Sequence, residues 1–182
     1  TVSIQIHNLI DLSNFVMAHM RLPQAGNRLL LAQKKMLENE HEEGFEAIKY
    51  EVNHGLAVAS RGQGDINQAF RQYLQAVDNS TSMADAAISN IGELFLTLYE
   101  RTEEKEYLNY AQDILKDVLA ARISKYKTEQ HSEVALAYAN YSSAITHSNL
   151  SYGMELAKKS LEIFENLNGF YNIDVAIQYS NI

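Results

Sequence analysis

Residues 53–76 read NHGLAVASRGQGDINQAFRQYLQA. On both sides of Arg61-Gly62-Gln63-Gly64-Asp65, apolar residues recur at three- and four-residue spacing. Phe45, Ile48, Val52, Leu56 and Ala59 form one stripe, and Ile66, Phe70, Tyr73, Leu74 and Val77 form the next. This is the period of amphipathic α-helices, in which apolar side chains line one face. The glycines end the first helix and Asp65 can cap the second. A link this short makes the two helices pack antiparallel.

The same layout extends outward. Ala84 to Tyr99 and Glu104 to Ala121 form a second pair around Arg101-Thr102. Glu129 to His147 and Tyr152 to Leu167 form a third, broken at Ser148-Asn149-Leu150-Ser151. Upstream, Ile4 to Met20 and Gln24 to Leu37 form a degenerate pair joined at Leu22-Pro23. One proline and eight glycines in 182 residues leave too few turn formers for a sheet protein.

The pairs repeat one another. Leu56-Ala57, Ile91-Gly92 and Tyr141-Ser142 are each an apolar residue followed by a small one. The second helices answer with Ala69-x3-Tyr73-x2-Ala76, Ala111-x3-Leu115-x2-Val118 and Ala157-x3-Leu161-x2-Phe164. Small residues there let neighbouring helices approach closely, and large ones fill the gaps between pairs. The pattern resembles the tetratricopeptide (TPR) repeat, which runs aromatic-x2-Leu-Gly-x2-Tyr and then Ala-x3-Phe-x2-Ala. Asn53 replaces the leading aromatic, and no repeat has the closing proline. The apolar-small pairs are 35 and then 50 residues apart, against a family unit of about 34. Stretched repeats of this kind resemble those of kinesin light chains, polarity adaptors and bacterial peptide-sensing regulators.

The resemblance implies an all-α, right-handed superhelical solenoid of antiparallel helix pairs. The expected organisation is a single TPR-like array over residues 1–182. A degenerate pair spans 1–40, repeats span 44–80, 82–122 and 129–168, and residues 170–182 are the first helix of a truncated repeat. Asp174 to Ile182 restarts the pattern of Val134 to Tyr141 and then stops mid-helix. A first helix without its partner leaves an apolar face bare. The expectation is that the natural chain continues past Ile182, or that a second copy covers that face as a homo-oligomer.

Composition narrows the function. Fifteen Lys and Arg against 23 Asp and Glu give a net charge of −8, which repels a phosphate backbone and disfavours nucleic acid as a partner. The absence of cysteine removes disulfides and thiolate metal sites. The strongest apolar run, Leu29 to Ala32, is far too short to cross a bilayer, so no membrane partner is expected. The cytoplasm is the default compartment for such a chain. Lys34-Lys35 and Lys158-Lys159 sit on helices beside carboxylates and read as solvated faces.

Motifs of catalysis do not assemble. His41-Glu42-Glu43 lacks the second histidine of a zinc-binding helix. His7 and His19 are too far apart on one helix to share a metal. His131 and His147 fall near helix ends, where an imidazole can meet free carbonyls or simply face water. No phosphate-binding loop or nucleophile elbow is present. The expectation is a chain that is not an enzyme, with no cofactor and no metal.

Asn90, Asn140 and Asn181 each precede the apolar-small pair or its truncated equivalent. Asparagine is a mediocre helix former because its amide competes with the backbone for hydrogen bonds. In the family that the chain resembles, first helices line a concave groove, and asparagines here commonly grip the backbone of a bound peptide. The resemblance therefore implies partner-binding roles for Asn90, Asn140 and Asn181. Glu93 and Ser143 lie one turn further along the same face, and His54 and Arg61 extend it into the first clear repeat. The competing reading is that the amides tie adjacent helices together. The implied function is a protein- or peptide-binding module whose partner segment has some basic character. The alternative is a ligand-sensing regulatory domain of a bacterial transcriptional or signalling regulator.

Overall fold

The computed structural model describes residues 30–35, 38, 45–78 and 84–168. Asn181, the expected truncated repeat and most of the expected first helix pair lie outside the described residues. Among the described residues all regular structure is helical. A helical stretch over 30–35 precedes α1 (Phe45–Gly62), α2 (Ile66–Asp78), α3 (Ala84–Thr102), α4 (Lys105–Tyr126), α5 (Ser132–Thr146) and α6 (Leu150–Asn168). The chain divides into two compact units between Ile88 and Ser89.

In the first unit, the turn between α1 and α2 forms as the sequence implies. Gly64 adopts φ +84°, a left-handed conformation that costs glycine least. Asp65 Oδ1 accepts the Gln68 amide at 3.0 Å and caps α2. The two helices enclose Val52, Leu56, Ala69, Tyr73 and Ala76, all buried. Near the turn, the Ser60 hydroxyl donates to Gln72 Oε1 at 2.8 Å, satisfying a buried amide oxygen. Gln33, on the helical stretch before α1, donates to the buried Asn53 at 3.3 Å.

The second unit holds the two stretched repeats. Ser142 on α5 donates to the Gly153 carbonyl at 2.8 Å, while Ser160 donates to the Ala135 carbonyl at 2.7 Å. Contacts that advance along one helix and retreat along the other identify α5 and α6 as antiparallel. Gly153 lets them close, since a Cβ there would lie 2.9 Å from the Thr146 backbone nitrogen. Gly92 does the same for α3 and α4 against the buried Leu115. Between α4 and α5, Gln112 donates to the Ala144 carbonyl at 3.0 Å and to Ser148 Oγ at 2.8 Å. At the other end of α4, the buried Arg122 guanidinium reaches the Glu133 carbonyl at 3.0 Å and the Glu133 carboxylate at 3.4 Å. A cation in an apolar joint needs both contacts.

Several boundaries differ from expectation. Leu150 and Ser151 belong to α6 and not to a turn, because Asn149 Oδ1 caps the helix by accepting the Tyr152 amide at 3.1 Å. The helix expected from Glu129 begins at Ser132, since Glu129 and His131 are engaged in the preceding loop. α4 passes Ala121 and stops where Lys127 turns left-handed at φ 55°. Leu56, Tyr73, Ile91, Leu115, Tyr141 and Leu161 are buried, whereas Phe70 and Phe95 are half-buried. Phe95 packs against the rings of Tyr107 and Tyr110, at 6.2 and 5.3 Å between centroids.

Candidate partner-binding face

The residues singled out in the second unit lie on α3 and α5, the first helices of its repeats. Asn140 Nδ2 donates to Glu93 Oε1 at 2.8 Å and to Ser89 Oγ at 3.1 Å. Two turns further along both helices, His147 Nε2 lies 3.7 Å from Glu100 Oε1. The His147 ring also meets Tyr99 edge-on at 5.2 Å. Two rungs with the same sequence offset mean that α3 and α5 run side by side in the same direction. That is how first helices of successive repeats line up.

The face that these rungs cross has a definite chemistry. On α5 and its C-cap residue His147, Leu136, Asn140, Ser143 and His147 fall on one stripe by helical spacing. Leu136 is 40% exposed and Ser143 is exposed, with its hydroxyl turned back to the Ala139 carbonyl at 3.1 Å. Asn140 is half-buried and makes its bonds to Ser89 and Glu93 through Nδ2, so its Oδ1 is left to accept. Asn90 is half-buried on α3, one residue beyond the buried Ser89. α3 and α5 carry Asp85, Glu93, Glu100 and Glu133 against the single cation Arg101. In contrast, α4 and α6 balance six cations with six carboxylates. In these two repeats the negative charge is therefore concentrated on the first helices, α3 and α5.

In the first unit, His54 stacks on Tyr50 at 5.5 Å and meets Tyr73 edge-on at 5.6 Å. Burial among these rings pushes the His54 imidazole below its ordinary pKa. Arg61 is half-buried in the last turn of α1. The structure thus brings Asn140 and Glu93 into direct contact and places His54 in an aromatic cluster. Ser89 and the His147–Glu100 rung were not singled out from sequence. Ser89 is adjacent to Asn90, but no local pattern marks it as the hydroxyl that meets Asn140.

Lys159 is exposed, as expected of a solvated face, and it also ties three segments together. Its Nζ lies 2.7 Å from Glu129 Oε2 and 5.5 Å from the centre of the Tyr138 ring. Tyr138 donates to the other Glu129 oxygen at 2.9 Å. The Lys159 and Tyr138 hydrogen bonds hold the Glu129 carboxyl below its usual range, and the Glu129 bond raises Lys159. Among the described residues there is no group of three or more His, Cys, Asp or Glu that could hold a metal ion. No described helix is long and apolar enough to cross a membrane.

No family profile matches the sequence, and no curated protein matches it. Solved structures do. BtubC (BKLC) from P. vanneervenii superposes with a TM-score of 0.69 at 15% identity, covering 94% of this chain and 68% of that one. A putative kinesin light chain from Podosopora anserina with nearly identical TPR-like repeats gives a TM-score of 0.70 at 12% identity. That match covers 97% of this chain and 83% of the other. Its Q17M variant gives 0.69 at 12% identity, over 97% and 82%. Identities this low speak to the fold alone, and the fold they give is a divergent TPR-like helical repeat.

Proposed function

We propose that the chain is a protein- or peptide-binding module, not an enzyme, and that its partner docks on the first-helix face of α3 and α5. The observation that carries this reading is the chemistry of that face: carboxylates at Glu93 and Glu100, the Asn140 carbonyl oxygen, the Ser143 hydroxyl and the exposed Leu136 lie on neighbouring stripes. An extended segment needs acceptors for its backbone N–H groups and a place for an apolar side chain. The charge imbalance of the first helices favours a partner bearing Lys or Arg. Asn140 then has two roles, tying α5 to α3 through its nitrogen and meeting the partner through its oxygen. Asn90 and Glu93 line the α3 side, and His54 and Arg61 extend the same kind of face within the first unit. Asn181 is assigned the same role on repeat position alone.

Selection of short peptides from a random display library tests the proposal. Enrichment of sequences combining Lys or Arg with apolar residues is expected. Glu93→Gln keeps an acceptor for Asn140 and removes the charge, so it should weaken the selected peptides while leaving stability nearly unchanged. Selection of acidic sequences, or peptides indifferent to Glu93→Gln, would refute the assignment.

A further inference from the structure

His131 occupies the N-cap of α5, with extended backbone at φ −152° and ψ 139°. Its Nδ1 accepts the Glu133 amide at 3.1 Å, and its carbonyl accepts from Val134 and Ala135, each at 3.0 Å. The ring is held flat against Tyr126 of α4, with centroids 3.6 Å apart and planes 15° apart. Ser, Thr, Asp and Asn fill most N-caps, with oxygens whose capacity to accept from the helix does not change near neutral pH. An imidazole does the same task with a nitrogen that also binds protons.

A neutral imidazole has one N–H and one lone pair. With Nδ1 accepting from Glu133, the hydrogen is on Nε2. A second proton on the ring must go to Nδ1, where it would face the Glu133 N–H. Proton binding and capping are therefore mutually exclusive. The charge so gained would also lie at the positive end of the α5 dipole. Tyr126 of α4 stacks on the ring, with Lys125 Nζ 5.7 Å from the Tyr126 ring centre; Glu133 of α5 is paired with Arg122 of α4, and Glu129 of the loop accepts the His131 amide through its carbonyl. The carboxylates of Glu133 and Glu129 are already engaged, Glu133 by Arg122 and Glu129 by Lys159. Neither replaces the lost hydrogen bond at the Glu133 amide.

We infer that His131 makes the joint between the two repeats of the second unit pH-sensitive: closed while the ring is neutral, and loosened at the first turn of α5 when the ring takes up a proton. The same helix carries Leu136, Asn140 and Ser143, so the device acts on the element that presents part of the first-helix face. It does not depend on what binds that face.

Amide hydrogen exchange, resolved by residue and corrected for intrinsic pH dependence, tests the inference on the whole chain at pH 8 and pH 5.5. The Glu133 amide is the reporter, because its hydrogen bond goes to the His131 ring. Protection there should fall about five-fold at the lower pH, the factor that loss of a side-chain cap typically produces. His131→Asn supplies a cap that does not titrate and should hold protection constant across the range. His131→Ala should lack protection at both pH values. Equal protection of the unsubstituted protein at both values overturns the inference. So does an equal loss in His131→Asn, which would place the titrating group elsewhere.

Discussion

Asn140 on α5 and Glu93 on α3 are joined by a 2.8 Å hydrogen bond between first helices of successive repeats. The same Nδ2 reaches the buried Ser89 hydroxyl at 3.1 Å. Asn140→Ala removes both bonds and regains only the helix propensity of alanine, about 0.6 kcal/mol. A net loss of about 1–2 kcal/mol in unfolding free energy is expected from denaturant titration. Asn140→Asp should cost more at neutral pH, because two carboxylates would face each other, and should recover part of that loss at acid pH. An alanine variant as stable as the parent would show that the rung does not hold the helices.

The two close helix contacts should respond differently to an added methyl group. At Gly92 the nearest obstacles are Leu115 side-chain carbons, at 2.8 and 2.9 Å from an ideal Cβ. At Gly153 the obstacles include the Thr146 backbone nitrogen at 2.9 Å and Cα at 3.0 Å. A leucine side chain can move, whereas helix backbone cannot without shifting α6 away from α5. Gly153→Ala is therefore expected to destabilise by about 2–3 kcal/mol. Gly92→Ala should cost about 1 kcal/mol less, since helix propensity offsets a larger part of a smaller strain. Paired thermal melts that reverse this order would contradict the packing described.

The helix pairs were legible because burial follows a 3.6-residue period, and because Gly64 and Asp65 turn the chain by local rules. Leu56, Tyr73, Ile91, Leu115 and Tyr141 could be assigned to the core from that period alone. Phe95 could not be placed finely. Its half-exposure depends on how Tyr107 and Tyr110 of the next helix share the surface with it. Asn140 stood out in sequence as an amide in mid-helix. Its partners did not, because Ser89 and Glu93 lie 51 and 47 residues away and only the stacking of repeats brings them near. The same holds for Lys159, whose bond to Glu129 depends on a loop conformation with no sequence period.

The Glu129–Lys159 pair should be a weak clamp despite its 2.7 Å length. Both side chains are more than two-fifths exposed, so solvent screens most of the attraction. A double-mutant cycle with Glu129→Gln and Lys159→Met should give a coupling of about 0.5 kcal/mol, diminishing in high salt. Glu129 is lowered from 4.5, so its contribution is present above that value and is lost as pH falls through the lowered pKa. Lys159 is raised from 10.5, so its contribution is present below that value and is lost as pH rises through the raised one. A coupling above about 2 kcal/mol would mean that the pair is far more shielded than its exposure indicates.

His54 should make the first unit sensitive to mild acid, at a site separate from His131. Burial between Tyr50 and Tyr73 lowers its pKa below 6.5, so the fold prefers the neutral ring. Above about pH 7, folded and unfolded chains both hold it neutral and the site adds no pH dependence. As pH falls below 6.5, the unfolded chain takes up a proton that the folded chain resists, and stability declines until the folded pKa is passed. Below that point the loss levels off, because both states are then protonated. His54→Phe keeps a flat ring between the tyrosines and removes the titration. Protection from amide exchange within α1 and α2, corrected for intrinsic pH dependence, should fall with acidification in the parent and remain flat in this variant. An unchanged slope in His54→Phe would transfer the acid sensitivity to another group and leave the aromatic cluster with a packing role alone.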